Sequence, residues 1–280
     1  MFIDLIYITN SAEAALIAQQ NGVKFIMVDL ESIGKEDRQK GRDTVISNHS
    51  ISDVEKISKV LTKSKTLVRI NPWYEGSYDE IEKVIEAGAD SIMLPMWKNP
   101  KEVDLFLKAV NKRTSTMLLL ETKEAVECVD EVLNNDLIDE IYIGLNDLHL
   151  SYGLTFMFEL LSNGVVEELC NKFKQKGIVY GFGGIARINE GLLPAEHIIM
   201  EHHRLCSTRT ILSRTFCNLQ EIENIVDVEK IFKENIKKIR AYEKLLSKKD
   251  EKEFLENKKY IKYRVNQVVE IIKEKKKLCI

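Results

Sequence analysis

A parallel (β/α)8 TIM barrel with a C-terminal helical extension is the α/β fold class this sequence predicts, and three observations predict it. Short apolar runs rich in β-branched residues recur eight times, each followed by a stretch of helical period. Eight such units within roughly 215 residues match the size of a closed barrel. The turn after the first run, Thr9-Asn10-Ser11-Ala12, lacks the glycine fingerprint that opens a nucleotide-binding doubly wound sheet.

The strands are expected in order at residues 2–9, 23–31, 66–71, 91–96, 115–122, 140–147, 178–185 and 205–211. Each is bounded by turn residues or by an amphipathic segment. Ser52-Asp53-Val54-Glu55 reads as a capping box ahead of ISKVL, residues 78–87 as a helix ending at Gly88, and Asn99-Pro100 as another helix start. Beyond residue 216 the strand pattern gives way to charged heptads, from EIENIVDVEKIF to QVVEIIKEKKK. Apolar residues there still recur at three- and four-residue spacing, so residues 217–280 read as amphipathic helices with a face to bury, on the barrel of residues 1–216 or on another subunit. Lys273, Lys275, Lys276 and Lys277 read as a basic last turn that complements the helix dipole rather than as a polyanion contact.

With 41 basic and 44 acidic residues the formal charge is −3, and 44% of positions are hydrophobic. Such a balance supplies no broad positive field, so neither nucleic acid nor an anionic membrane is an expected partner. Five cysteines, with no CxxC pair, form neither a metal finger nor an even disulfide framework. A reduced, cytoplasmic protein is therefore expected. The start, MFIDLIYITNSAEAA, lacks a basic leader region, and Cys279 stands two places too late for a prenylation signal.

Catalytic groups of such barrels sit where strands end. Polar residues collect at those ends: Asp29 and Glu31 after the second strand, Arg69 and Asn71 after the third, Glu121 after the fifth, Asn146 and Asp147 after the sixth. A glutamate closing the apolar run MLLL and an aspartate closing IYIGLN are poorly explained as mere helix caps, because both follow segments that must be buried. Two oxygen donors suit Mg2+ or Mn2+, which complete their shells with water and substrate oxygens. Arg69 facing the same opening would grip a carboxylate and counter negative charge.

The adjacent His202 and His203 of EHHRL point to different faces of the expected helix and read as packing residues, not ligands. His149, two places past Asp147, is the candidate proton carrier on grounds of proximity. Glycines in GFGGIAR, residues 181–187, suit either phosphate binding or close packing, and Arg187 and Arg209 hint at an anionic second substrate.

These motifs resemble the HpcH/HpaI aldolase and citrate lyase β-subunit family of metal-dependent carbon–carbon lyases. VDLES (28–32), VRINP (68–72), GADSIMLP (88–95), LLLETKEAVE (118–127) and IGLNDLHLSYG (143–153) are similar, in order, to that family's segments. The resemblance implies a barrel in which Glu121 and Asp147 bind the divalent metal. It also implies that Arg69 binds the carboxylate and enolate of a pyruvate-like unit, and that Asp29 or Glu31 organises water. Asn71, Pro95 and Asn146 join Arg69 as substrate-binding candidates, and a homo-oligomer is expected.

One departure stands out: the aldolase branch of that family has a histidine, and its citrate lyase relatives an aspartate, where this chain has Ser32. A serine hydroxyl is too weak an acid or base to replace either alone. GKEDRQKGR (34–42) is loosely similar to a basic stretch of the citrate lyase relatives, which makes Arg38 or Arg42 a candidate for a second anionic group. The expected function is a lyase or aldolase acting on a small anionic 2-oxo or 3-hydroxy acid. The alternatives are a citrate-lyase-like acyl-CoA lyase and a catalytically silent barrel used in binding or assembly.

Overall fold

The computed structural model describes residues 2–34, 49–222 and 224–278. Its parallel strands are β1 (Asp4–Ile8), β2 (Phe25–Asp29), β3 (Lys65–Arg69), β4 (Ser91–Leu94), β5 (Ser115–Leu120), β6 (Glu140–Ile143), β7 (Val179–Ile185) and β8 (Arg209–Leu212). They pair in sequence order, and β8 returns to β1 through Asp4 opposite Arg209, closing the barrel. The described helices are α1 (Ala12–Gln20), α2 (Ile51–Val60), α3 (Ser77–Glu86), α4 (Pro100–Val110), α5 (Lys123–Glu127) and α6 (Val129–Val132). They continue with α7 (Leu145–Ser151), α8 (Glu159–Ser162), α9 (Val165–Gln175), α10 (Ala195–Arg204), α11 (Ile225–Leu246) and α12 (Glu251–Leu278).

Side chains alternate across each strand, and the barrel uses both directions. Ile6, Met27, Leu67, Met93, Leu119 and Tyr142 fill the interior. Their neighbours Leu5, Ile26, Val28, Val68, Leu118 and Ile141 pack outward under the helices. This two-sided burial is why the strands read as continuous apolar runs rather than as alternating ones. Arg209 plugs the lower end, with Nε donating to Glu140 at 2.9 Å, Nη1 to Asp4 at 2.6 Å, and its guanidinium over the Phe25 ring.

All eight strands overlap the ranges that the sequence predicts, most of them shorter, and β8 starts at Arg209 rather than at residue 205. Extended backbone in β6 stops at Ile143, and the residues expected to finish the strand turn into α7 instead. Leu145 and Leu148, three apart and both buried, supply the helical stripe that the apolar run concealed. The cap of α2 also forms two residues earlier than expected: Ser50 and Asp53 make the capping box. Asn99 caps α4 through the Glu102 N–H, with Pro100 at the first helical position.

The C-terminal helices bury their apolar faces on the same chain. α11 packs on α1 and α10, and α12 on α8 and α10. Glu243 of α11, fully buried, accepts the Ile3 backbone N–H at 2.7 Å, while Arg240 donates to the Ile3 carbonyl at 2.9 Å. The last quarter of the chain thus grips the backbone just ahead of β1. No helix among the described residues is long and apolar enough to cross a membrane.

Candidate active site

The C-terminal ends of the strands surround a cavity of about 580 Å³. Its floor is the upper layer of the barrel interior, Met27, Met93, Leu119 and Tyr142. Tyr142 contributes no free hydroxyl to that floor, because its oxygen is engaged by the Gly183 carbonyl and the Ile211 N–H. The polar groups stand above, on the residues where strands stop.

Parallel register sets the first pair. Asp29 and Arg69 are partners across β2 and β3, so their side chains leave the sheet side by side. Arg69 grips Asp29 with both arms of its fork, Nε to Oδ1 and Nη2 to Oδ2, each at 2.8 Å. Its Nη1 lies 3.4 Å from Glu31, and both carboxylates are almost fully buried. Burial works against the guanidinium's charge, but Asp29 and then Glu31 outweigh it and hold Arg69 well above its ordinary pKa.

Register also sets the second pair. Leu120 lies opposite Ile143 across β5 and β6, which puts Glu121 beside Gly144 and the first turn of α7. Asp147 sits in that turn, where a helix N-terminus favours a carboxylate. Glu121 Oε1 accepts the Met96 N–H at 3.1 Å, and Met96 reaches it from the left-handed region, at φ 54°. Oε2 lies 2.8 Å from the point where a Cβ on residue 144 would stand, so the glutamate needs glycine there. Burial, then the charges of Asp147 and Glu31, push the Glu121 pKa well above the usual carboxylate range, against the pull of Arg69. The pocket therefore concentrates more negative charge than Arg69 balances.

That surplus is what a cation would relieve. Glu121 and Asp147 fit a hard divalent ion that keeps several water or substrate oxygens. Among the described residues no group of three or more His, Cys, Asp or Glu side chains forms a ready-made metal cage. Two protein ligands with the remaining positions open is the form in which such an ion handles small anions.

A sequence profile of the HpcH/HpaI aldolase/citrate lyase family matches residues 5–159, more than half of the chain and the segment that carries all of these groups. The chain belongs to this family. Among curated proteins it resembles the hydroxypyruvate/pyruvate aldolase of Rhizorhabdus wittichii, at 27% identity over 39% of this chain and 57% of that relative. The chain thus spans little more than half of that relative's length. Among solved structures it resembles the HpcH/HpaI aldolase of Desulfitobacterium hafniense, with a TM-score of 0.58 at 14% identity, covering 76% of this chain and 86% of that one. A HpcH/HpaI aldolase/citrate lyase family protein of Burkholderia cenocepacia gives 0.57 at 13%, covering 76% and 88%. At such identities the likeness speaks for the fold.

Within this HpcH/HpaI barrel, Asp29, Arg69, Glu121, Asn146 and Asp147 line one cavity, and Glu31 stands behind Arg69. Asn71 does not line it. Its Oδ1 accepts Ser32 N–H at 2.9 Å, Ser32 O–H at 3.2 Å and Ile33 N–H at 2.9 Å, while its Nδ2 donates to Glu80 at 2.8 Å. The amide folds the turn that carries Glu31. Pro95 is buried off the cavity wall, and His149 is buried in α7 with Nδ1 at 3.2 Å from the Leu145 carbonyl.

The arginines read as second-substrate groups have other work. Arg209 begins β8 at the opposite end of the barrel, and Arg187 donates to the Phe216 carbonyl at 2.8 Å. Arg38 and Arg42 lie outside the described residues. Of the glycines in GFGGIAR, Gly183 and Gly184 line the cavity, whereas Gly181 packs so tightly that a Cβ would meet the Arg209 backbone oxygen at 2.4 Å. His202 and His203 face separate partners. His202 stacks on Phe182 and lies 2.8 Å from Ser207, while His203 approaches Glu243 at 3.9 Å.

Several polar cavity residues escaped the sequence reading, among them Tyr7, Arg214 and His49. His49 lines the wall, with its Nδ1 accepting the Asp29 N–H at 2.9 Å. The available signal was weak: a histidine one place ahead of the helix cap at Ser50.

Proposed function

We propose that this barrel is a divalent-metal-dependent carbon–carbon lyase or aldolase acting on a 2-oxo or 3-hydroxy acid. The observation that carries the reading is one cavity holding Arg69, oriented by Asp29 and Glu31, together with the paired acids Glu121 and Asp147. Family membership and the aldolase name of the curated relative support it.

When Mg2+ or Mn2+ is held by Glu121 and Asp147, it supplies positive charge toward the oxygens of the oxo acid. Arg69 has N–H groups beyond the two committed to Asp29, and these bind the substrate carboxylate. As the carbon–carbon bond breaks, its electron pair stays on the carbon next to the oxo group. Arg69 counters the enolate charge that results. The hydroxyl proton leaves the aldehyde fragment, and a proton is returned to the new carbanion carbon. Water held near Asp29 and Glu31 moves these protons. A cavity of about 580 Å³ accommodates a three-carbon oxo acid together with its aldehyde partner.

The test is release of pyruvate or another keto acid from a panel of hydroxy acids by metal-stripped protein, with and without added Mg2+ or Mn2+. Glu121→Gln and Asp147→Asn are expected to abolish metal-dependent turnover while leaving the fold intact by circular dichroism. Unchanged Mn2+ affinity in both variants, or turnover indifferent to the metal, refutes the assignment.

A further inference from the structure

Glu80 of α3 reaches back to the end of β3 without lining the cavity. Its Oε1 accepts two N–H groups of Asn71, the backbone one at 3.2 Å and the side-chain Nδ2 at 2.8 Å. A carboxamide presents an oxygen on one side and an NH2 on the other, and turning it over exchanges the two. Here the partners decide which way it stands. An ionised carboxylate only accepts, so it takes the NH2 side; the backbone N–H groups of Ser32 and Ile33 only donate, so they take Oδ1, each at 2.9 Å. The Ser32 hydroxyl brings a third donor to the same oxygen at 3.2 Å.

The turn held in this way carries Glu31, whose carboxylate is almost fully buried 3.4 Å from Arg69 Nη1. Turned over, Asn71 would set its NH2 against two N–H groups, and residues 31–33 would have to move off it. Glu31 would shift with them, whereas the two bonds from Arg69 to Asp29 do not pass through the turn. Burial pushes the Glu80 pKa up, against the pull of Asn71 and Tyr74. We propose that Glu80 is a positioning residue of the lyase reaction: through the Asn71 amide it fixes the turn that keeps Glu31 in place for proton movement, without itself touching substrate. This inference rests on the lyase reading of the same site.

Variants along the chain of contacts separate this role from simple support of the fold. Glu80→Gln keeps an oxygen for both Asn71 N–H groups, while Glu80→Ala and Asn71→Ala break the chain at successive links. In protein that is folded by circular dichroism, Glu80→Ala is expected to lose about tenfold in kcat. KM for the hydroxy acid should change less than about threefold, because Arg69 stays on Asp29. Glu80→Gln should keep kcat within about twofold of wild type. Groups acting in one chain are not additive, so Glu80→Ala combined with Asn71→Ala should turn over within about twofold of Asn71→Ala alone. The Ile33 amide proton, followed by NMR, should exchange with deuterium about tenfold faster in Glu80→Ala. Glu80→Met, which fills a similar volume without an oxygen, takes the place of alanine should alanine unfold the protein.

Wild-type kcat in Glu80→Ala overturns the inference, as does a glutamine variant as impaired as alanine. A double variant that multiplies the two losses, or unchanged exchange at Ile33, overturns it too. Failure of the lyase reading looks different: wild-type protein then releases no keto acid from any hydroxy acid with Mg2+ or Mn2+, and the role of Glu80 falls with it.

Discussion

Glu121 is held from two directions, by the Met96 N–H on one oxygen and by the empty space over Gly144 on the other. Gly144→Ala sets a methyl group 2.8 Å from Oε2 and 3.0 Å from the Glu121 Cβ, so the carboxylate must turn away. Displaced ligand support commonly costs about 10- to 100-fold in metal affinity, and a Mn2+ titration followed by electron paramagnetic resonance should show a loss in that range. An affinity equal to wild type would mean that Glu121 does not meet the ion. Glu121 and Asp147 were visible in the sequence because a carboxylate ending a buried run has few bland explanations. Asn71 was visible too, but as a substrate group rather than the turn-holding amide it is, and His49 was not read at all. A side-chain amide at a strand end looks the same whether it meets a ligand or, as here, three donors of the neighbouring turn. Nothing in the spacing of residues 29 and 49 announces that an imidazole returns across 20 positions to the end of β2.

At the scale of elements, α10 is fastened to β7 by a buried aromatic stack, His202 on Phe182 at 3.8 Å between ring centroids. Burial, reinforced by His203, pushes the His202 pKa down from 6.5 to about 3. Its folded pKa is depressed, so the stabilisation is fully present above pH 6.5 and is lost as pH falls from there toward 3. Between pH 7 and pH 5 this one group should remove about 2 kcal/mol of stability. Urea midpoints at the two values measure it, and His202→Gln should flatten the difference; an equal pH slope in both proteins would place the sensitivity elsewhere. Strands were the most legible elements, because burial on both faces writes them as unbroken apolar runs. The run IYIGLNDLHL misled for the same reason: Leu145 and Leu148 are as apolar as the strand they follow, and only the barrel's geometry ends β6 at Ile143.

Across the whole molecule, the amphipathic pattern after residue 216 announced helices but not what they cover. The partner is the barrel of the same chain, and the connection is polar as well as apolar. Burial opposes the charge of Glu243, yet His203, the Ile3 N–H and Arg240 together bring its pKa below the usual range. Glu243→Ala strands the Ile3 N–H and leaves Arg240 without its buried partner, 2.7 Å away in the native protein. Breaking a buried pair from one side costs about 3–5 kcal/mol, so chemical denaturation should show a loss of that size for the entire fold. A loss below about 1 kcal/mol, the usual worth of an exposed ion pair, would demote the clamp to a surface contact.

The closing of β1 on β8 also has a consequence for biosynthesis. Asp4 and Arg209 are 205 positions apart, and at roughly 5–20 residues per second a ribosome needs about 10–40 s to deliver the second after the first. Throughout that interval one side of β1 has its peptide groups open to any passing extended peptide. Nascent chains of this protein should therefore lean on chaperones early in translation, and slow codons placed before β8 should lower its yield more than the same codons placed after it.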